Sequence, residues 1–172
     1  MMSTKYSVLW ASCKISAKKD LHLEWVAHED YIPLLIKLLG AKNREIMQKA
    51  LVILSILAKD SDDTKERIAN VEDAIKSIVC ALRRWEGKLA VALLLELSKN
   101  AAICERVGKL LDCIYFLVVM SSNDDVEASR DANELLENLA LLDQNIAQMA
   151  KANYFKPLLQ CLSLVSFHTF SY

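Results

Sequence analysis

The chain has 172 residues, of which 53% are hydrophobic and 25% are charged, and its formal net charge at pH 7 is −1. This balance can bury a substantial core, but it provides no basic surface of the kind that binds nucleic acid or anionic lipid. With only three glycines and two prolines, the chain lacks the tight turns of an all-β fold and is predicted to be mostly helical.

The first predicted element is an apolar helical segment, VLWASCKIS, at residues 8–16. Serines interrupt it, so it is a poor signal sequence. Ile15 lies 42 residues before Leu57, in register with a long helix of the next unit. Residues 1–19 are therefore expected to be the end of a preceding repeat.

A medium helix is predicted next, within VAHEDYIPLLIKLL at residues 26–39, and it recurs as MAKANYFKPLLQCL at residues 149–162. Both copies place a proline, Pro33 or Pro157, in the first helical turn, where a missing amide hydrogen does no harm. Looser copies begin at Ile68 and Val107.

A long helix follows in each unit, as ALVILSILAKD, AVALLLELSKN and ANELLENLALLD. The copies begin 40 and then 42 residues apart, each with an alanine followed four and seven residues later by leucine. That spacing is one face of a helix, and a period near forty predicts an α-solenoid. The leucines are predicted to form one continuous core: Leu54, Leu57, Leu94, Leu97, Leu136 and Leu139.

Short helices and turns complete the predicted units. DTKE at residues 63–66 is interpreted as a capping box, and the acidic pairs Asp62–Asp63 and Asp124–Asp125 as helix N-caps rather than acid–base catalysts. Gly40 and Gly87 are predicted to be left-handed helix terminators.

The last segment, LVSFHTFSY at residues 164–172, has no helical period. The predicted organisation is therefore all-α: the end of a repeat at residues 1–19, three complete repeats with the start of another at residues 20–163, and a non-repeat tail at residues 164–172.

The three-helix unit resembles the armadillo repeat, whose second-helix pattern is similar to VAHEDYIPLLIKLL and MAKANYFKPLL. The stretch LLLELSKNAAICERVGKLLDCIYFLVVMSS resembles, more narrowly, the armadillo region of plant U-box ubiquitin ligases, and this resemblance covers residues 21–162. It implies an α–α superhelix of the armadillo type. No U-box is recognisable in this chain.

The resemblance also implies a binding groove, lined by the long helices on the concave side. In this family the position six residues after the repeat's alanine binds the backbone of an extended partner, and the positions four and seven residues before it line the same groove. The residues implied are Lys49, Val52, Ile56, Leu89, Ala92, Glu96, Asp131, Glu134 and Asn138.

Glu96 is expected to face this groove, because an unpaired buried carboxylate would cost several kcal/mol. An ordinary solvated glutamate without a partner is the alternative. The groove is expected to change from apolar to acidic along the chain and so to favour a basic partner. Armadillo import adaptors carry tryptophan and asparagine at two such positions; only Asn138 matches in the complete repeats, which argues against an import role.

Catalytic and cofactor motifs are absent from the sequence: it has no Gly-rich phosphate loop, nucleophile elbow or zinc-protease motif. The turn RRWEGK at residues 83–88 is interpreted as a solvated loop, because three cations make few phosphate contacts. The longest uncharged apolar stretch, residues 113–120, is too short to span a bilayer. Five cysteines without a C-x-x-C pair indicate free thiols rather than a metal site: Cys13, Cys80, Cys104, Cys113 and Cys161.

The function implied is a non-catalytic module that binds a protein or peptide partner, as the substrate-binding or partner-binding part of a U-box-type ligase or a truncated relative. No cofactor, metal, nucleic acid or transmembrane segment is expected, and the predicted location is cytoplasmic, with nuclear or peripheral membrane association as alternatives. Two other hypotheses remain: a ubiquitin ligase subunit whose E2-binding domain lies elsewhere or was lost, and a structural remnant that binds nothing.

Overall fold

The computed structural model describes residues 31–84, 86–157 and 159–160, and the regular structure of these residues is helical. The predictions for residues 1–19 and for the tail at residues 164–172 lie outside the described residues. The helices within the described ranges are α1 (Ile32–Leu38), α2 (Arg44–Asp60), α3 (Asp62–Asn70), α4 (Ala74–Leu82), α5 (Gly87–Ser98), α6 (Ala101–Gly108), α7 (Leu111–Met120), α8 (Val126–Ala140) and α9 (Asp143–Lys151).

Several helices begin where the sequence predicts a start. Pro33 lies in the first turn of α1, where its missing amide hydrogen costs nothing. The Asp125 carboxylate accepts hydrogen bonds from the backbone amides of Glu127 and Ala128, both at 3.1 Å, and so caps α8 as predicted. Asn43 and Asn100, which were not among the predicted caps, cap α2 and α6 in the same way.

The predicted cap of α3 is wrong by two residues. The backbone of Ser61 is extended, and its hydroxyl accepts a hydrogen bond from the Thr64 amide at 3.2 Å. The helix therefore begins at Asp62, and Asp63 lies in its first turn, where a negative charge is favourable. Glu66 does not close a capping box but accepts a hydrogen bond from Asn100 Nδ2 at 3.2 Å.

The two glycines predicted as left-handed terminators are not left-handed: neither Gly40 nor Gly87 has a positive φ. Gly87 is instead the first residue of α5, where an added Cβ would lie 2.9 Å from the Leu82 carbonyl oxygen. Glycine is therefore required because there is no room for a side chain between α4 and α5, and not because of the backbone conformation. Among the described residues, the left-handed positions are Asp73 and Asn153, polar residue types that tolerate this conformation.

In each complete unit, two shorter helices precede a longer one. Two complete units are described, α3–α4–α5 and α6–α7–α8; α1 and α2 are the last two helices of the unit before them, and α9 begins the unit after them. The first helix of the earliest predicted complete repeat lies outside the described residues. The long helices pack side by side, with α5 between α2 and α8.

The predicted leucine core is confirmed. All six leucines of the long helices lie in one cluster of buried residues, and each is 0–1% exposed. The cluster is continuous through all the described units. The alanine that starts each pattern is buried as well: Ala50, Ala90 and Ala132 are each 0% exposed.

Polar side chains of later units bind backbone carbonyls of earlier ones. Arg106 of α6 donates to the Ala69 carbonyl of α3 at 2.6 Å. Asn145 of α9 is fully buried, and its Nδ2 donates to the Leu139 carbonyl of α8 at 2.9 Å. Gly108 provides the space for Asn145, because a Cβ there would overlap the Asn145 amide nitrogen and lie 2.8 Å from its Oδ1.

Candidate functional site

Each long helix keeps one side out of the core, and we call the combined exposed side of α2, α5 and α8 the ladder face. It contains the nine residues predicted to line a groove, and none of them is buried. This result confirms the helical register of the prediction; the binding role of these residues stays a prediction. The nine residues are Lys49, Val52 and Ile56 on α2, Leu89, Ala92 and Glu96 on α5, and Asp131, Glu134 and Asn138 on α8.

The structure adds residues to the ladder face that the sequence interpretation missed. The prediction took three positions from each long helix, but with 3.6 residues per turn the same face also includes residues three or four positions away from each of these. The added residues are Gln48, Ser55 and Lys59 of α2, Lys88 and Leu95 of α5, and Arg130 and Glu137 of α8. Two more residues, Lys99 and Leu141, directly follow α5 and α8.

Charge is unevenly distributed over the ladder face. The middle of α2 and α5 is apolar, with Val52 43% exposed and Ala92 partly exposed. On α8, Asp131 pairs with Arg130 at 2.9 Å. Glu134 and Glu137 are exposed, and neither has a salt-bridge partner among the residues the structure describes. Unpaired negative charge is thus concentrated on α8.

Glu96 was expected to be exposed, but its side chain is largely shielded from solvent. Its side chain is only 12% exposed, with Oε1 3.4 Å from Lys65 Nζ and Oε2 2.7 Å from Lys99 Nζ. Lys65 extends from α3, is itself 10% exposed, and also binds Asp62 at 2.7 Å. The prediction assumed an unpaired carboxylate, whereas two cations here offset the cost of burial. Leu94, two residues earlier, is 0% exposed, so the register itself stands.

The four side chains form a neutral cluster, which we call the Glu96 cluster: Asp62, Lys65, Glu96 and Lys99. Burial acts to raise the pKa of Glu96, but the hydrogen bonds and charges of Lys99 and Lys65 outweigh it and hold that pKa below its usual value. The hydrogen bond to Asp62 is the main reason why the pKa of Lys65 is raised, against the opposing effect of burial. Glu96 and Lys65 are therefore both ionised at neutral pH.

The next unit has a neutral counterpart of this cluster. Asn138 occupies the register of Glu96, and Cys104, four residues after the N-cap of α6, occupies the register of Lys65. The Cys104 thiol lies 3.8 Å from the Asn138 backbone carbonyl. Burial raises the pKa of this thiol, which keeps it uncharged. Leu141 takes the place of Lys99 and is 83% exposed.

The described ranges contain free thiols, one of which is deeply buried. Cys80, Cys104 and Cys113 are free thiols, and burial raises the pKa of Cys113 to about 12, which makes it a poor nucleophile. Within the same ranges, no three His, Cys, Asp or Glu residues are placed to hold a metal ion. None of the described helices combines the length and the apolar character needed to cross a bilayer.

Comparison of the sequence with known proteins finds relatives in plants. No family model matches the chain. It is 34% identical over 149 residues to U-box domain-containing protein 24 of Oryza sativa subsp. japonica, an alignment that covers 84% of this chain and 18% of that protein. It is 30% identical over 139 residues to U-box domain-containing protein 43 of Arabidopsis thaliana, covering 78% and 17%. The chain thus spans less than a fifth of the length of either relative.

Comparison of the fold finds designed repeat proteins. A designed armadillo repeat protein in complex with the peptide (KR)4 matches with a TM-score of 0.73 and 16% identity, covering 92% of this chain and 67% of that one. Computationally designed armadillo repeat proteins for modular peptide recognition match with a TM-score of 0.74 and 17% identity, covering 91% and 66%. At this level of identity the likeness concerns the fold alone.

Proposed function

Because this chain is an armadillo-repeat protein, an all-α superhelix related in sequence to a segment of plant U-box domain-containing proteins, we propose that it is a non-catalytic module whose ladder face binds an extended segment of a partner protein. The observation that carries the proposal is the register of the long helices. Three adjacent helices keep equivalent positions out of a closed leucine core. Such a row of exposed positions at regular spacing suits a partner that is itself extended.

Two further observations support this proposal. A designed protein of the same fold is known in complex with the peptide (KR)4. The ladder face of this chain also offers both kinds of contact that peptide recognition uses, apolar side chains such as Val52 and Leu89 and polar ones such as Asn138 and Glu134. Asn138 can donate and accept hydrogen bonds to a peptide backbone.

Placement of an arginine in the middle of the ladder face should block binding. Ala92 is partly exposed near the middle of α5, so Ala92→Arg adds a long charged side chain without disturbing the core. We expect it to weaken the binding of peptides selected with the parent protein from a random library by about tenfold or more, which is about 1.4 kcal/mol. Fluorescence anisotropy with labelled peptides measures this.

The matched control is Val119→Arg. Val119 lies on the medium helix α7, outside the ladder face, and is 57% exposed. The same charge there should leave affinity within about twofold. Equal effects of the two arginines, or an effect of Val119→Arg alone, would place the binding surface elsewhere.

The plant relatives suggest the type of protein in which this module acts. We propose that it recruits a partner or substrate in the setting of a U-box protein, in a reducing compartment such as the cytoplasm, where thiols such as Cys80 stay free. The second candidate is a ligase activity with the E2-binding domain elsewhere, and its support is limited to the similarity to U-box domain-containing proteins.

A ubiquitylation assay separates the two candidates. The chain alone, with ubiquitin, an activating enzyme and a panel of conjugating enzymes, should form no ubiquitin chains above the background without it, because no U-box is recognisable in its sequence. A full-length plant U-box protein is the positive control. Robust chain formation by this chain would overturn the non-catalytic proposal.

A further inference from the structure

The Glu96 cluster lies on the ladder face and has a consequence for the chemistry of the partner, which rests on the proposed function. The sequence predicts acidic ladder residues on both α5 and α8. The structure pairs Glu96 of α5, and on α8 it leaves the predicted Glu134 and the added Glu137 without a salt-bridge partner among the described residues. The two helices therefore favour different side-chain charges in a bound segment.

We propose that Lys65 and Lys99 are specificity-determining residues: by occupying both oxygens of Glu96, they make α5 select uncharged partner side chains and confine the selection of basic side chains to α8. The partner is thus an extended segment with a neutral part over α2 and α5 and a basic part over α8.

The geometry of Glu96 is the first argument. One carboxylate oxygen lies 2.7 Å from Lys99 Nζ and the other 3.4 Å from Lys65 Nζ. With the side chain only 12% exposed, a basic residue of a partner would have to compete with these lysines for the Glu96 carboxylate. The exchange of one cation for another brings little gain, because the paired charge has already been neutralised.

The repeat itself provides the second argument. Along the row that includes Glu96, α2 places Ile56 and α8 places Asn138, both uncharged. Where the ladder residue is neutral Asn138, the position of Lys65 is held by Cys104, beside the Asn138 carbonyl. In the two described copies of this position, the carboxylate Glu96 has the cation Lys65 beside it, and the neutral Asn138 has the neutral Cys104.

The remaining charges of the two helices are the third argument. Lys88 of α5 binds Glu127 at 2.5 Å and lies 3.5 Å from Asp125, so these acidic groups near the start of α8 are paired as well. Glu134 and Glu137, in the second half of α8, are exposed and lack such a partner within the described residues. They are the groups left to attract a basic side chain.

Peptides of two compositions test the proposal. The probes are the octapeptide (KR)4 and two half-basic octapeptides, KRKRAAAA and AAAAKRKR, which cover both orientations. The parent protein should bind the better half-basic peptide within about threefold of (KR)4, since only α8 selects basic residues. In the double variant Lys65→Met, Lys99→Met, the freed Glu96 should improve the preference for (KR)4 by about fivefold or more.

Two controls separate pairing from bulk charge. Adding Glu96→Gln to the double variant should abolish the gain. The double variant Lys76→Met, Lys109→Met removes the same charge from lysines that pair with Asp73 and Glu105, and it should change the preference by less than about twofold. Lys65 is buried, so the double variant could fail to fold. The single variant Lys99→Met alters a side chain that is 56% exposed and keeps the test valid in that case. It should give about half the gain in binding free energy, which is a change in preference of roughly twofold.

The outcomes distinguish this proposal from the proposed function. The specificity role is overturned, and the binding role stands, if the peptides bind but replacement of Lys65 and Lys99 leaves the preference for (KR)4 unchanged. The same conclusion follows if Glu96→Gln in the parent protein weakens (KR)4 binding as much as Glu134→Gln does. If no variant binds any of the peptides and Ala92→Arg is without effect on selected ligands, the binding role fails, and the specificity role with it.

Discussion

Replacement of Leu94 by alanine should lower the free energy of unfolding by about 2–5 kcal/mol, because it leaves a cavity in a closed core. Leu94 is 0% exposed and lies on α5, the helix that packs between α2 and α8. The loss should extend to the neighbouring units, since each repeat is stabilised mainly by contacts with the repeats beside it. Urea unfolding followed by circular dichroism measures the effect.

Leu141→Ala provides the matched control. It makes the same chemical change at a leucine that is 83% exposed, so its cost should stay within about 0.5 kcal/mol. A Leu94→Ala variant as stable as Leu141→Ala would contradict the assignment of Leu94 to the centre of a continuous core.

Gly108→Ala should cost about 1–3 kcal/mol, because the new methyl group requires space that a side chain already fills. The atoms in its way belong to the fully buried amide of Asn145, which is hydrogen-bonded to the Leu139 carbonyl. If Asn145 moves aside, that carbonyl loses its side-chain donor, and an unsatisfied buried acceptor has a similar cost. Thermal unfolding and urea unfolding both report the change.

Gly40→Ala is the control for the change of glycine to alanine. Gly40 is exposed and has no positive φ, and the nearest atom to an added Cβ is the Lys37 carbonyl oxygen at 3.4 Å. Alanine there should be neutral or stabilise the protein by up to about 1 kcal/mol through the unfolded state. In a double-mutant cycle, Gly108→Ala and Asn145→Ala should be non-additive; additive costs would mean that the two residues do not interact.

The fold was predictable because its signal is periodic. The alanine and leucine spacing of the long helices recurs three times, and burial follows it residue by residue at Leu54, Leu94 and Leu136. A periodic pattern averages over local ambiguity, so one substitution does not hide it. Local features have no such averaging. Ser61 and Asp63 are both good N-cap residues, and only the backbone conformation shows that Ser61 is the cap.

The ladder face was predictable in position but only partly in chemistry. Lys99 follows Glu96 by three residues, a spacing that allows a contact on a helix, so half of the pairing was visible in LELSKN. Lys65 lies 31 residues earlier, on a different helix. No helical period connects it with Glu96, and only tertiary packing brings the two together. The charge of a ladder residue therefore cannot be read from its own helix.

The side-chain hydrogen bonds to backbone carbonyls of a neighbouring unit run in one direction along the array. Arg106 and Asn145 each donate to a carbonyl of the unit before their own, so the acceptors belong to the earlier unit and the donors to the later one. A unit that loses its predecessor keeps a guanidinium or an amide that can turn towards water. A unit that loses its successor keeps a backbone carbonyl, fixed at a helix end, without its side-chain donor. For these bonds the two edges of each unit are thus unequal, since one edge presents side-chain donors and the other presents backbone acceptors.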